Sequence, residues 1–443
     1  MAGEWTVHPL EDCMAAIIDY RGKTPAKTSW GIPLITAKVV KGGRIATPDE
    51  FIAPEDYDAW MRRGMPKTGD VVVTTEAPLG ETAQLGDERV ALAQRLIVLR
   101  GKPDILNNTF LKFLIQSANV QDQLRARSSG TTVLGIKQSE LRKISLTLPA
   151  LNEQLAIAHI LGTLDDKIEL NRRMNETLEA IARSLFKSWF VDFDPVHAKA
   201  QGHDTGLPKA IAELFPDSFE ESELGEIPKG WPTGCLLEQA TLLSGGTPKT
   251  DRVDYWDGTI AWASAKDVSQ CGEVFLVSTE RTITGRGLDE SATQTIPALS
   301  TVVVARGATT GRMVLLGREM AMNQTCYALR STTGAPFALY CRLQEEMHAL
   351  VHAAHGSVFD TITTKTFSTS RVVLVPPPLL EVFEQRVAPT LQRILKGTVE
   401  SRALAALRDT LLPKLISGEL RVKDVERFVD RVDTVDEVER ART

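Results

Sequence analysis

Lysine, arginine, serine and threonine side chains stand at corresponding loop positions in the two halves of this 443-residue sequence, and such groups can hold phosphates and base edges. The pair Ala37-Lys38 recurs as Ala265-Lys266. Lys137 precedes Pro149 by the same interval that separates Lys365 from Pro377, and each follows a Gly/Thr-rich stretch. Arg306 and Arg312 flank a glycine-containing loop after a strand-like run. Arginine is the commonest reader of guanine. The loop 244–249 offers Ser244, Gly245, Gly246, Thr247 and Lys249. Small residues there can turn backbone N–H groups toward an anion. Each position also has a plain alternative. Lys38, Lys266, Lys137 and Lys365 can be solvated lysines, 244–249 an ordinary turn, and Arg306 and Arg312 partners in surface salt bridges.

Catalytic constellations are missing. Asp194-Pro195 is followed by Val196 rather than the second proline of a methyltransferase motif. Gly22-Lys23-Thr24 suggests a phosphate loop, but Ile17 stands where GxxxxGK(S/T) needs its first glycine. His348, His352 and His355 share a helical face without a completing ligand, so no metal is expected. No nucleophile elbow is present. Cys13, Cys235, Cys271, Cys326 and Cys341 form no CxxC pair and are odd in number, which suits reduced thiols in the cytoplasm. No signal sequence is legible at the start, and no run of about 18 apolar residues could span a membrane. These absences favour a binding protein over two competitors, an enzyme with a cryptic site and a scaffold without base specificity.

The formal charge of −6 argues at first against a nucleic-acid partner. Its distribution weakens that objection. Residues 8–150 hold 19 Lys+Arg against 16 Asp+Glu, whereas 191–230 hold 3 against 9. The acidic excess lies in a connector. A near-neutral domain binds DNA if its cations converge on one face.

The elements that must position these residues are duplicated. Trp5 and Leu10 recur as Trp231 and Leu236, displaced by 226. IPLITAKVV from Ile32 recurs as IAWASAKDV from Ile260, displaced by 228. Val71–Val73 recurs as Val302–Val304, and the run 92–100 as 323–330. Ordered matches of this kind signal a tandem repeat. Each copy opens with short β-branched runs between Gly/Pro turns, with helical stretches at 108–126 and 336–353, which reads as mixed α/β. Each closes with a heptad seam. The first seam is Ile157, Leu161, Leu164, Ile168, Asn171, Asn175, Leu178, Ala182, Leu185 and Trp189. The second is Val387, Leu391, Ile394, Thr398 and Ser401, then Leu404, Leu407, Leu411 and Leu415. Matching the seams lowers the displacement from 230 to 226 midway, which reads as a one-turn deletion in the second helix. Antiparallel pairing of the two helices is expected. Asn171 and Asn175 either fix its register or face solvent or a partner.

The expected fold class is therefore α/β: two mixed α/β domains in tandem, separated and joined by two long antiparallel coiled-coil helices. The expected boundaries are a first domain at 1–150, a first helix at 151–190, a connector at 191–230, a second domain at 231–378, a second helix at 379–422 and a tail at 423–443.

The run 148–196, LPALNEQLAIAHILGTLDDKIELNRRMNETLEAIARSLFKSWFVDFDPV, resembles the central conserved region of specificity subunits of type I restriction–modification systems. FPDSFEESELGEIPKGW (215–231), SGGTPKTDRVDYWDGTIAWASAKDV (244–268) and 376–420 resemble the boundary, the second target-recognition domain and the distal helix of that family. Gly22-Lys23-Thr24-Pro25 lacks the Tyr-Trp that follows in the family, so the first domain matches less closely. The resemblance implies a cytoplasmic, non-catalytic, sequence-specific DNA-binding subunit of a phage-defence system. Its two domains would read a bipartite, asymmetric target in major grooves about 34 Å apart, with the helices as a ruler. It implies two adenine-methyltransferase subunits as partners, with ATP-dependent motor-nuclease subunits joining them. A methylation-only or single-chain-derived modification system without a nuclease is the alternative. S-adenosylmethionine, ATP and Mg are expected only in the partners. Trp189 and Phe190 either cap the helix core or meet a methyltransferase.

Overall fold

The computed structural model describes residues 5–20, 24–353 and 361–422. Gly22, Lys23, His355 and the tail 423–443 lie outside the described residues, and His348 and His352 are described only as part of a helix. The chain packs as two units. One comprises Met1–Lys167 and Leu404–Thr443, the other Ile168–Ala403.

In the first unit, Met14–Asp19, Leu96–Gly101, Val71–Thr75 and Leu79–Gln84 form an antiparallel sheet in that spatial order. Alternate side chains of a strand leave opposite faces. Val71 and Val73 accordingly join one core with Phe110 and Phe113 of the helix Asn108–Gln116, while Val72 joins a second core with Leu34 and Ile52. Burial on both faces explains the unbroken VVV run. A smaller sheet pairs Ile32–Ile35 parallel to Ala91–Leu92 and antiparallel to Phe51–Ile52. Thr6–Pro9 pairs with Ser145–Leu148.

The second unit repeats this plan. Ala240–Ser244, Cys326–Ser331, Thr301–Val304 and Met313–Leu316 take the places of the first sheet, with Phe275–Leu276 added at the edge. Trp256–Ala263 pairs parallel to Met320–Met322 and antiparallel to Arg281–Ile283. The registers repeat too. Val71 faces Leu99 as Thr301 faces Leu329, and Val7 faces Thr147 as Thr233 faces Val373.

Leu151–Phe190 is one helix of 40 residues, about 60 Å long, and Pro377–Ser417 one of 41. They run antiparallel. Within the first unit Arg408 meets Asp165 and Arg421 meets Glu153. Within the second, Asn171 Nδ2 donates to Glu400 Oε2 (2.9 Å) and Ser401 Oγ (3.3 Å), and Asn175 Nδ2 to Thr398 Oγ1 (3.4 Å). Both asparagines are buried, which decides for the register reading. Gly397 lets the helices approach there, since a Cβ would lie 2.8 Å from Asn175 Oδ1.

The seam departs from the expected one at three points. Phe186 is fully buried where Leu185 was expected, and Leu185 is half-buried. Leu407 is 47% exposed, and Arg408 turns inward toward Asp165 in its place. Leu161, Trp189, Phe190 and Leu415 are buried, while Leu164, Ile168, Leu178, Leu404 and Leu411 are half-buried. Finally, there is no one-turn deletion. The helices begin 226 residues apart, at Leu151 and Pro377. Buried positions then match at that displacement throughout: Ile157 with Phe383, Leu161 with Val387, Asn175 with Ser401, Trp189 with Leu415. A pattern with a mean period of 3.5 nearly matches itself when slid by four. That degeneracy produced the apparent deletion.

Candidate nucleic-acid interface

Strand direction gathers the candidate residues at one end of each unit. In the first, the parallel strands Ile32–Ile35 and Ala91–Leu92 finish together, with Ala93 N donating to Ile35 O at 2.9 Å. Lys38 and Arg95 follow them. Val71–Thr75 arrives antiparallel at the same end, where Thr75 N donates to Arg95 O (2.9 Å). Glu76 comes next. The chain returns through Ser129–Gly135, which bridges Glu76, and Ile136 N donates to Thr75 O (3.0 Å) before Lys137.

The second unit builds the same end. Asn323 N donates to Ala263 O (3.0 Å), Ala305 N to Thr325 O (2.8 Å) and Ile362 N to Ala305 O (2.8 Å). Arg306 bridges Thr361, and Arg312 O accepts from Val304 N (2.8 Å). Lys266, Arg306, Arg312 and Lys365 therefore stand on one rim. Ser244 ends its strand there, opposite Tyr327, and the Thr247 hydroxyl meets Gln324 Oε1.

Lys38 and Lys266 occupy equivalent places, and neither cation is free. Lys38 Nζ lies 2.6 Å from Asp49 Oδ2, and Lys266 Nζ 2.6 Å from Glu280 Oε2. The carboxylates are equivalent as well, each three residues before an isoleucine that pairs with the preceding strand (Ile52 with Ile32, Ile283 with Ile260). Hydrogen bonding to Asp49 and to Glu280 holds the two ammonium groups above their ordinary pKa, and Lys38 holds Asp49 below its own. Exposed pairs are weak, so a phosphate can replace the carboxylate at little cost.

Lys137 and Lys365 are both exposed but are not equivalents. Lys137 caps the short helix Gln138–Leu141, and the residue capping the matching helix Thr364–Thr369 is Thr363. Lys365 sits two residues further on. The interval to proline misled because the flanking strands repeat at 226 while Pro149 and Pro377 are 228 apart.

Loop 244–249 is not an open anion cradle. Gly246 N already donates to Met322 O (2.9 Å). A Cβ on Gly245 would lie 2.3 Å from Met322 O, and one on Gly246 2.5 Å from Thr293 N. The glycines are therefore required by close packing of backbones. The Ser244 side chain is exposed, and its carbonyl accepts from Gln294 Nε2 (2.6 Å). Lys249 is exposed, and its carbonyl accepts from Trp256 Nε1 (3.1 Å). Arg306 and Arg312 are exposed, and neither guanidinium has a partner among the described residues. The alternative of surface salt bridges is thus not what they form there.

Sequence reading missed Glu76 and Arg95. Arg95 Nε lies 2.6 Å from Glu76 Oε1 at the end that also holds Lys38 and Lys137. The signal was available, because the displacement that carries Val72 to Val302 carries Glu76 to Arg306. Among the described residues no group of three His, Cys, Asp or Glu could hold a metal ion, and no helix is long and apolar enough to cross a membrane.

The residues match a family model described as type I restriction modification DNA specificity domain twice, at 25–180 and 228–403. The specificity subunit of the type I restriction enzyme HindI from Haemophilus influenzae is 26% identical over 378 residues, covering 75% of this chain and 82% of that one. The MjaIX specificity subunit from Methanocaldococcus jannaschii is 24% identical over 446 residues, covering 95% of each. Among solved structures, the S subunit of a type I restriction–modification system from M. genitalium superposes with a TM-score of 0.54 at 15% identity, over 93% of this chain and 96% of that one, a likeness of fold.

Proposed function

The chain belongs to the type I restriction–modification DNA specificity family, and from that premise we propose that it reads a bipartite, asymmetric DNA target and presents that target to methyltransferase subunits. Each unit reads one half. The observation that carries this reading is the rim just described. The two units share their topology and strand register, yet their rims differ in charge. The first offers Lys38, Glu76, Arg95 and Lys137, the second Lys266, Arg306, Arg312 and Lys365. A shared frame with different tips gives two readers of the same geometry and different base preference. Cations on the rim hold phosphates and set register, while the differing tips discriminate bases.

The long helices carry the partners. In the second unit Leu170 and Ile181 point outward at 58% and 55% exposure, on one face with half-buried Met174. An apolar stripe on a spacer helix suits a partner helix. The methyl donor, ATP and Mg belong on this reading to the partners, since the sequence carries neither the methyltransferase motif (Val196 follows Asp194-Pro195) nor a complete phosphate loop. Motor-nuclease subunits complete a full restriction system. The chain's net charge of −6 makes part of the DNA affinity depend on partner surfaces.

Reconstitution tests this. The purified chain alone should transfer no methyl groups. With its adenine-methyltransferase subunits it should direct methylation to adenines in a two-part motif. The double variant Leu170→Asp, Ile181→Asp should lose the partner in size-exclusion chromatography while keeping its circular dichroism. Methyl transfer by the chain alone, or methylation following no two-part motif, would refute the assignment. An intact complex with the double variant would refute the docking face.

A further inference from the structure

We infer that Glu76 and Arg95 together form the base-reading pair of the first unit, at the place Arg306 holds in the second, and that the pair reads one cytosine–guanine base pair. This rests on the reading of the chain as a two-part DNA reader.

The equivalence is fixed by backbone hydrogen bonds. Thr75 N donates to Arg95 O as Ala305 N donates to Thr325 O. Ile136 N donates to Thr75 O as Ile362 N donates to Ala305 O. Glu76 bridges Gly135 as Arg306 bridges Thr361. Within this shared frame the side chains differ in charge. Glu76 stands where the second unit has Arg306, and Arg95 where it has Thr325. A position whose backbone is copied and whose charge is inverted is where two half-sites can differ.

The backbone at this tip is held in an unusual state. Arg95 has φ +72° and Ala77 φ +49°, a region unfavourable for any residue with a Cβ. Such residues concentrate where the surrounding structure holds a functional geometry. The ion pair is half in water, with exposures of 51% and 40%, so a ligand can reach it.

The chemistry then selects the ligand. A carboxylate is repelled by phosphates and has only acceptors. In the major groove it can be satisfied by the exocyclic amines, cytosine N4 or adenine N6. A guanidinium beside it seeks guanine O6 and N7. Only a cytosine–guanine pair sets an amine donor next to those acceptors, as the carboxylate and guanidinium are set next to each other. In the second unit no described residue sets such a carboxylate beside Arg306, so it takes guanine alone.

The test uses the complete modification system and the methylome of cells expressing it. Glu76→Gln keeps the shape and exchanges a carboxylate for an amide that also fits adenine. We expect one position of one half-site to lose its cytosine–guanine requirement, with preference there falling on the order of ten-fold. The other half should be unchanged. Arg95→Lys, which keeps charge but loses the fork, should relax the same position. The affected half should be the one that survives exchange of residues 231–376. An unchanged motif in both variants, or methylation falling equally at all sites, would overturn the inference and leave the two-part reading standing. A wild-type system with no two-part motif would overturn both.

Discussion

Asp165→Ala should destabilise the first unit by about 3–5 kcal/mol. Asp165 on the first long helix accepts from Lys112 Nζ (2.6 Å) and from Arg408 Nη1 of the second (2.7 Å). The three side chains are only 8%, 18% and 22% exposed. Lys112 also lies 4.3 Å from the centre of the Phe113 ring. Removing the carboxylate leaves Lys112, only 8% exposed, without its anion and facing Arg408, which keeps only the exposed Asp409 (2.8 Å) as a partner. The net worth of the triad is a separate matter, since desolvating three charges offsets most of their attraction. The triple variant Lys112→Met, Asp165→Leu, Arg408→Met should therefore fall within about 1–2 kcal/mol of the wild type. Urea denaturation measures both. A loss below about 1 kcal/mol for Asp165→Ala would mean that the triad is solvated like a surface pair.

Trp189→Ala should cost the second unit a similar amount, about 3–5 kcal/mol. Trp189 is buried, with ring centres 5.4 Å from Phe215, 5.9 Å from Phe383 and 5.9 Å from Phe190. These rings come from both long helices and from the acidic connector. A single truncation thus loosens three segments at once. The edge-on arrangement adds to what burial alone supplies. Thermal unfolding should show the loss, and proteolysis should reach the connector near Phe215 sooner. A connector that stays protected in the variant would show that Phe215 is held by something other than this cluster.

How legible these features were in the sequence depends on what each position must satisfy. Strands such as VVVTT, RLIVLR and TVVVA were readable because both of their faces are buried. Lys38 and Lys266 were readable because the strand before each repeats its pattern. The helices were readable in kind but not in register, because a heptad matches itself after one turn. Arg408 and Asp165 fall outside the apolar seam pattern, and only the fold brings them together with Lys112. Phe186 was passed over for Leu185 because both fit a helical spacing. Gly245 and Gly246 suggested an anion cradle, yet their lack of side chain serves close packing. Glu76 stayed hidden because its chemistry is opposite to that of Arg306 while its backbone is the same. A search for recurring residue types finds the scaffold and overlooks the tips.

Two units of one fold reading two different half-sites is the division of labour proposed for this chain. It is tested most directly by replacing residues 231–376 with the corresponding segment of another family member and sequencing the methylome of cells that express the complete system. The expected result is a new two-part motif in which one half is changed and the other retained. A motif unchanged in both halves, or changed in both, would contradict it.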